Sequence, residues 1–467
     1  MGNVMNIGAR RELFVDNFLI ESLRDARLQI AHPERREVAY EADAPWEDST
    51  FFALSAIQEK GVVRLYCRAS IPDLKDEMIS IMSLLESTDG GRSFTRPRLG
   101  LCEFKGSTDN NILWQGRAPG IPAAFIDTHP DCPPEMRYKG FELAVADKDS
   151  RLFVMSSADG IRWRLMQKDY LKMPGAFDCV NTAFWDASNS CYRGYTRFYN
   201  PRVRSNGRDA RSIQMSTSQD FIHWTPPVPL QYEDNDAAMQ FYENNIQPCP
   251  GAEHIYVGFP NRYVEERNKF AGIPPEPSTW GGTGFWGIND ALFMASRDGL
   301  RWTRYREAWV RPGLDDHNWT QRNNYPTWQI IQSSPEEWSI LISEHYMRKD
   351  KAPVRLRRLS IRPWGFASVQ AGYDGGELLT KPFMFSGRSL RLNYSTSAAG
   401  SIQVEVQGES GKSIPGFGLN DMPPLFGDEL DATATWNKGS DLSQLAGKPV
   451  QLRFVLKDAD LFALRFV

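Results

Sequence analysis

Little in this chain points to covalent staples, a metal centre or a membrane. Its 467 residues hold six cysteines, Cys67, Cys102, Cys132, Cys179, Cys191 and Cys249, with no CxxC pair. A chain of this length buries enough surface to fold without cross-links, so free and mostly buried thiols are expected. No run of about 18 apolar residues occurs, which argues against a transmembrane helix. The first twenty-two residues lack the apolar stretch of a signal peptide. A soluble protein is expected, cytoplasmic, or periplasmic or secreted after removal of a signal. Histidine is scarce, at six residues, and no HxxH or HExxH is present, so no metal or cofactor is assigned. Calcium in an oxygen-lined channel stays open. The absence of GxSxG removes the usual signature of acyl transfer. Lys and Arg number 54 against 58 Asp and Glu, a net charge of −4. That balance argues against nucleic acid or an anionic membrane as the main partner. A homo-oligomer is left open. Long amphipathic helices are also missing, and the best helical candidate is the short segment 21–30.

What the chain does have is aromatic residues and turns: 14 Trp, 16 Tyr, 26 Phe, 36 Gly and 30 Pro. Short alternating apolar runs recur, as in Val62 to Tyr66, Arg151 to Met155 and His254 to Gly258. Gly, Pro, Asn and Asp punctuate them, so the fold class is all-β. Four segments share one shape: Ser87 to Phe94, Ser157 to Trp163, Ser216 to Trp224 and Ser296 to Trp302. Each reads Ser, Asp, usually Gly, then an aromatic. The closing aromatics Phe94, Trp163, Trp224 and Trp302 lie 69, 61 and 78 residues apart. A Ser-x-Asp-Gly turn joins antiparallel strands, because Asp accepts from backbone amides and Gly takes positive φ. Four such turns at that spacing suggest one per four-stranded blade of a β-propeller.

A second repeat keeps the same period. It comprises Asp109-Asn110-Asn111, Asp178 with Asn181, Glu243-Asn244-Asn245 and Arg322-Asn323-Asn324. Pro45-Trp46-Glu47-Asp48-Ser49 holds the corresponding place before the first turn repeat. Five units of about 67 residues therefore run from 44 to 378. Inner strands of propeller blades start at one end of a central channel, so these clusters are expected to converge on a funnel. Asn and Asp also make ordinary turns, but Glu243 and Arg322 are not turn formers. The predicted architecture is a five-bladed β-propeller (44–378) behind an N-terminal lead-in (1–43). Strong alternation over 379–467 predicts a small C-terminal β-sandwich.

Five blades followed by a β-sandwich resemble invertase, levanase and arabinanase-type glycoside hydrolases. Ser87 to Phe94 resembles the Asp-box turn of sialidases, and Ser216 to Trp224 the Ser-x-Asp-Phe-x-His-Trp turn of invertase-like enzymes. More closely, the whole chain resembles a family of bacterial propeller proteins described as glycosyl-hydrolase-like. The matching segments are Arg11 to Asp16, Phe177 to Asn181, Leu356 to Arg358 and the tail from Gly375 to Phe466. Asn-Asp-Pro-Asn-Gly, Arg-Asp-Pro and Glu-Cys are absent, so the three-acid site of invertases is not carried over.

The resemblance implies a glycoside hydrolase, exo-acting on short oligosaccharides. Such chemistry needs two carboxyl groups flanking one bond, one protonated and one not. Asp48 is favoured as nucleophile or base, and Asp178 and Glu243 as the acid. Glu47 and Asp109 are further acids, suited to a sugar hydroxyl or to tuning a neighbour. Asn110, Asn111, Asn181, Asn244, Asn245, Asn323 and Asn324 suit sugar hydroxyls, as do Arg197, Arg262 and Arg322. The arginines would equally take a carboxylated or sulfated sugar. Trp286 and Trp319 are candidate stacking platforms. Trp280 to Asp290 reads as a Gly-rich loop over the funnel, ending at Asp290, and His345 is a further channel candidate. A non-catalytic carbohydrate-binding propeller, or a propeller phosphorylase or lyase, is the alternative.

Overall fold

The computed structural model describes residues 4–72, 78–116, 122–146, 149–205, 207–234, 239–269, 287–346 and 353–467. Among them the regular structure is strand throughout, with four three-residue 3₁₀ turns and no α-helix. No helix there is long and apolar enough to cross a membrane. The segment 21–30 is not helical. It forms two strands, Ile20–Arg24 and Ala26–Ile30, broken at Asp25 with φ +53°. Its charged residues alternate with residues that pair into a sheet, so the strand period prevails over the short helical one.

The chain divides into two compact units. One comprises Pro33–Pro248 and His254–Ile361; the other Met1–His32, Cys249–Glu253 and Arg362–Val467.

The larger unit is a succession of antiparallel sheets. The first orders Phe52–Glu59, Val62–Pro72, Met78–Ser87 and Ile112–Gly116. The second orders Ala123–Ile126, Tyr138–Ala146, Asp149–Ser157 and Arg164–Leu165. The third orders Thr182–Asp186, Cys191–Ser205, Arg208–Ser218 and Val228–Pro229. A fourth pairs Ala252–Gly258 with Met294–Ser296 and Arg301–Arg304, beside a small sheet of Gln240–Phe241, Asn261–Val264 and Ile288–Ala291. The fifth orders Tyr325–Pro326, Trp338–Glu344 and Arg355–Ile361, and its last strand is Glu34–Glu41 from the start of the chain.

Hydrogen bonds link several of these sheets. The Ala124 N–H donates to Ser55 Oγ at 2.9 Å. Thr182 Oγ1 donates to Asn244 Oδ1 at 2.7 Å, and the Trp328 indole to Ile246 O at 2.9 Å. The Ala56 N–H then donates to Trp328 O, which links the fifth sheet to the first. Trp302 and Trp328 are fully buried in the shared core.

The four Ser-Asp turns have one internal geometry. Ser87, Ser157, Ser218 and Ser296 each accept a backbone N–H at Oγ, at 2.9 to 3.0 Å. Asp89, Asp159, Asp220 and Asp298 each accept two further N–H groups at Oδ1. The third turn starts at Ser218, two residues later than expected, and Phe221 takes the positive φ, +67°, that Gly holds elsewhere. Its ring is fully buried against Phe141 (5.4 Å, stacked), which offsets the strain. A neighbouring sheet clamps two of the turns. The Tyr66 hydroxyl donates to Gly160 O (2.9 Å) and Arg64 to Asp159 O, while Tyr195 donates to Gly299 O (3.1 Å) and Arg193 to Asp298 O.

The smaller unit is built on Gln451–Phe466. This strand pairs with Leu390–Gln407, Gly376–Thr380 and Ala367–Ala371, and with the early strand Glu12–Leu13. Ile20–Arg24 and Ala26–Ile30 complete the sheet edges. The position 378/379 falls within the strand Gly376–Thr380. Ile7, Phe14, Leu19 and Ile20 share a core with Trp436 and Phe454. All six cysteines are free.

Candidate active site

Within the larger unit a cavity of about 170 Å³ opens among Thr50, Phe52, Arg68, Asp178, Glu243 and Arg322, closed by Tyr242, Tyr325 and Tyr346. Asparagine side chains brace the segments that carry these residues. Asn181 Nδ2 donates to Phe177 O and Cys179 O, both at 2.9 Å, and so folds the segment that carries Asp178. That fold aims the Val180 N–H at Glu243 Oε2, 2.5 Å away. Asn244 accepts from Thr182 and from the Ile246 N–H, which fixes the far side of Glu243. Asn245, at φ +46°, donates to Pro326 O at 2.7 Å. Arg322, at φ +61°, is held by its N–H on Asn289 Oδ1 (2.7 Å).

The two cavity carboxyls have opposite surroundings. Glu243 is buried, and burial pushes its carboxyl up to about 7 against the pull of the Val180 N–H, Arg197, Arg322 and Arg68. Asp178 is half exposed and ion-paired with the buried Arg197 guanidinium. Arg197 also donates to Ala176 O at 3.0 Å and lies over the Tyr242 ring at 4.9 Å. Burial raises the Tyr242 phenol, yet Arg322, Arg197 and Arg211 bring it below its ordinary range. Arg322 donates to the Tyr346 hydroxyl at 3.2 Å and the Tyr242 hydroxyl at 3.4 Å. Burial, then the charge of Glu243, pushes the Cys179 thiol up. Phe52 meets Tyr346 edge-on at 6.3 Å.

Of the residues expected in a funnel, Asp178, Glu243 and Arg322 line this cavity, with Arg197 behind Asp178. Asp48 does not: it lies with Glu47 in a separate depression beside Ile71 and Phe104, and accepts the Ser49 N–H at 2.6 Å. Glu47 is consumed structurally, by the Tyr40 hydroxyl and by two nitrogens of Arg96. Asp109 is exposed and pairs with Arg98. Asn110 and Asn111 donate to the carbonyls of Cys102 and Leu84. Asn323 and Asn324 donate to Thr320 and to the carbonyls of Asn289 and Asn318. These amides brace backbone and do not face the cavity. Arg262 and Asp290 form a bidentate ion pair with each other. Trp319 donates to Gly313 O and lies under Lys269. His345 faces Asp315 at 2.7 Å. Trp286, with residues 280–285 of the Gly-rich loop, lies outside the described residues.

Arg68, Tyr242, Tyr325 and Tyr346 were not singled out by sequence. Three of these are aromatics flanking a singled-out residue, next to Glu243, Asn324 and His345, and that adjacency was the available signal. Arg68 stands mid-strand with no local mark.

No family model matches the chain, and no curated protein matches it. Among solved structures it is similar to an N-acetylgalactosamine deacetylase from F. plautii in complex with blood group B trisaccharide, at 14% identity over 72% of this chain and 95% of that one, TM-score 0.44. It is similar to the GH32 β-fructofuranosidase BmSUC1 of Bombyx mori, at 9% identity over 94% of each chain, TM-score 0.44. It is also similar to a β-1,2-mannobiose phosphorylase from Listeria innocua, at 9% identity over 71% of this chain and 96% of that one, TM-score 0.39.

Proposed function

We propose that the larger unit is a five-bladed β-propeller and that it cleaves glycosidic bonds, with Glu243 as general acid and Asp178 as the second carboxylate. The blade count rests on the five successive sheets and on the contact of Trp328 with Leu54 and Ala56, while Glu34–Glu41 completes the last sheet. The smaller unit we read as a β-sandwich.

One observation carries the reaction. Two carboxyls share a cavity, and their surroundings divide the roles that glycoside hydrolysis requires. Glu243, raised to about 7, holds a proton near neutrality and gives it to the departing oxygen. Asp178, on the exposed side and paired with Arg197, acts as nucleophile or activates water. Phe52, Tyr325 and Tyr346 offer faces to the apolar side of a sugar ring, and Arg68 and Arg322 offer donors to its oxygens. A cavity of about 170 Å³ suits one ring, which favours exo action.

A second reading has its own support. Two guanidinium groups, Arg68 and Arg322, line the same cavity and suit an attacking phosphate. Aryl glycosides and short oligosaccharides, assayed with and without inorganic phosphate, separate the two. Hydrolysis predicts phosphate-independent turnover that Glu243→Gln lowers by about 10²–10⁴-fold. Turnover seen only with phosphate replaces hydrolysis by phosphorolysis. Binding without turnover by the wild type removes both.

A further inference from the structure

We propose that Asp315, His317 and His345 form a site for one divalent transition-metal ion of the zinc type. The site is independent of the glycosidase reading. The donor atoms of the three side chains all lie within 4.8 Å of one another, and they are the one such group among the described residues. His317 Nδ1 is 2.9 Å from Asp315 Oδ1, and His345 Nε2 is 2.7 Å from Asp315 Oδ2. Two imidazole nitrogens and one carboxylate suit Zn²⁺, Co²⁺ or Fe²⁺, whereas Ca²⁺ and Mg²⁺ want oxygen. Three protein ligands leave a further position for water.

The group is held from several directions. Asp315 caps the turn Asp316–Asn318 by accepting the His317 N–H, which sets His317 over the carboxylate. His345 is buried, at φ +66°, with the next residue anchored by Asn323. Arg355 donates to Asp315 Oδ2 at 2.9 Å and to Glu344 at 2.7 Å. Glu344 also accepts from Arg357 at 2.9 Å, and Arg355 orients Asp315 as outer partners of metal ligands do. Sequence gave no warning, because His317 and His345 are 28 residues apart and fit no ligand spacing. Since Tyr346 follows His345 and bonds Arg322, a bound ion braces one edge of the cavity.

The test uses untagged, full-length protein stripped with EDTA. Calorimetric titration with Zn²⁺ is expected to give one ion per chain. Co²⁺ is expected to give the visible absorption of a four- or five-coordinate centre. His317→Ala and His345→Ala should each weaken Zn²⁺ binding at least tenfold, and His223→Ala, at an exposed turn, should leave it unchanged. His317 is partly exposed, so His317→Ala should keep the wild-type circular dichroism spectrum in EDTA and decides the matter if His345→Ala misfolds. No stoichiometric uptake by the wild type, or uptake that survives His317→Ala undiminished, overturns the site.

Discussion

Glu243 is the residue whose environment makes the strongest demand on experiment. Its protonated form is the working one, so kcat/KM should fall as the pH rises through about 7, and Glu243→Gln should lower kcat by about 10²–10⁴-fold. A pH–rate series on both proteins checks this. The same shift acts on stability. A carboxyl whose folded value is raised contributes fully below its unfolded value of about 4.5 and loses that contribution as the pH rises through about 7. Melting curves across that window should therefore fall more steeply for the wild type than for Glu243→Gln. Asp178 and Glu243 were legible as acids at one end of repeating strands. Asp48 followed the same spacing, yet Thr50, two residues on, lines the cavity while Asp48 lies in a separate depression, and spacing cannot reveal the direction of a side chain.

At the level of elements, the Ser-Asp turns show how a visible motif acquires an invisible partner. Tyr66 and Tyr195 reach from one sheet to the turn carbonyls of the next, and nothing in Arg64-Leu65-Tyr66 or Arg193-Gly194-Tyr195 announces it. Tyr66→Phe and Tyr195→Phe should each cost about 1 kcal/mol in urea unfolding, the usual value of one buried hydrogen bond. Gly299→Ala should cost more, since φ is +77° and a Cβ would sit 2.4 Å from Arg193 Nη1 and 2.6 Å from the Tyr195 hydroxyl. Asp89, burial notwithstanding, is held down to about 2 by Ser93, Ser87 and the turn amides. The stability it adds is present above about pH 3.8 and is lost as the pH falls toward about 2. The asparagines teach the converse lesson. Their type and period were plain, but their amide groups bond backbone carbonyls, because a buried rim must satisfy its own polar groups before it can offer any to a ligand.

For the whole molecule, the first thirty-two residues belong with the last hundred or so. Deleting residues 1–32 removes Ile7, Phe14, Leu19 and Ile20 from the smaller unit's core, at about 1.5–3 kcal/mol for each fully buried side chain. That total is comparable with the whole stability margin of a domain, about 5–15 kcal/mol. Limited proteolysis with mass spectrometry should then show 362–467 degraded first in the deleted chain and protected in the intact one. Equal protection in both would mean that these strands are dispensable.

Alternation, turn residues and a repeat near 67–70 residues were enough to settle the all-β class and to locate the four Ser-Asp turns, the third to within two residues, because a strand's period and a turn's φ are local properties of the chain. The same register also singled out Asp178, Glu243 and Arg322, which line one cavity. The tertiary structure alone decided which of them share a cavity, that Glu47 is spent on Arg96, that the asparagines serve as braces, and that Asp315, His317 and His345 meet. Those outcomes depend on side-chain direction and on contacts between residues far apart in sequence, and burial sets the charge of Glu243 only once the surrounding sheets have closed around it.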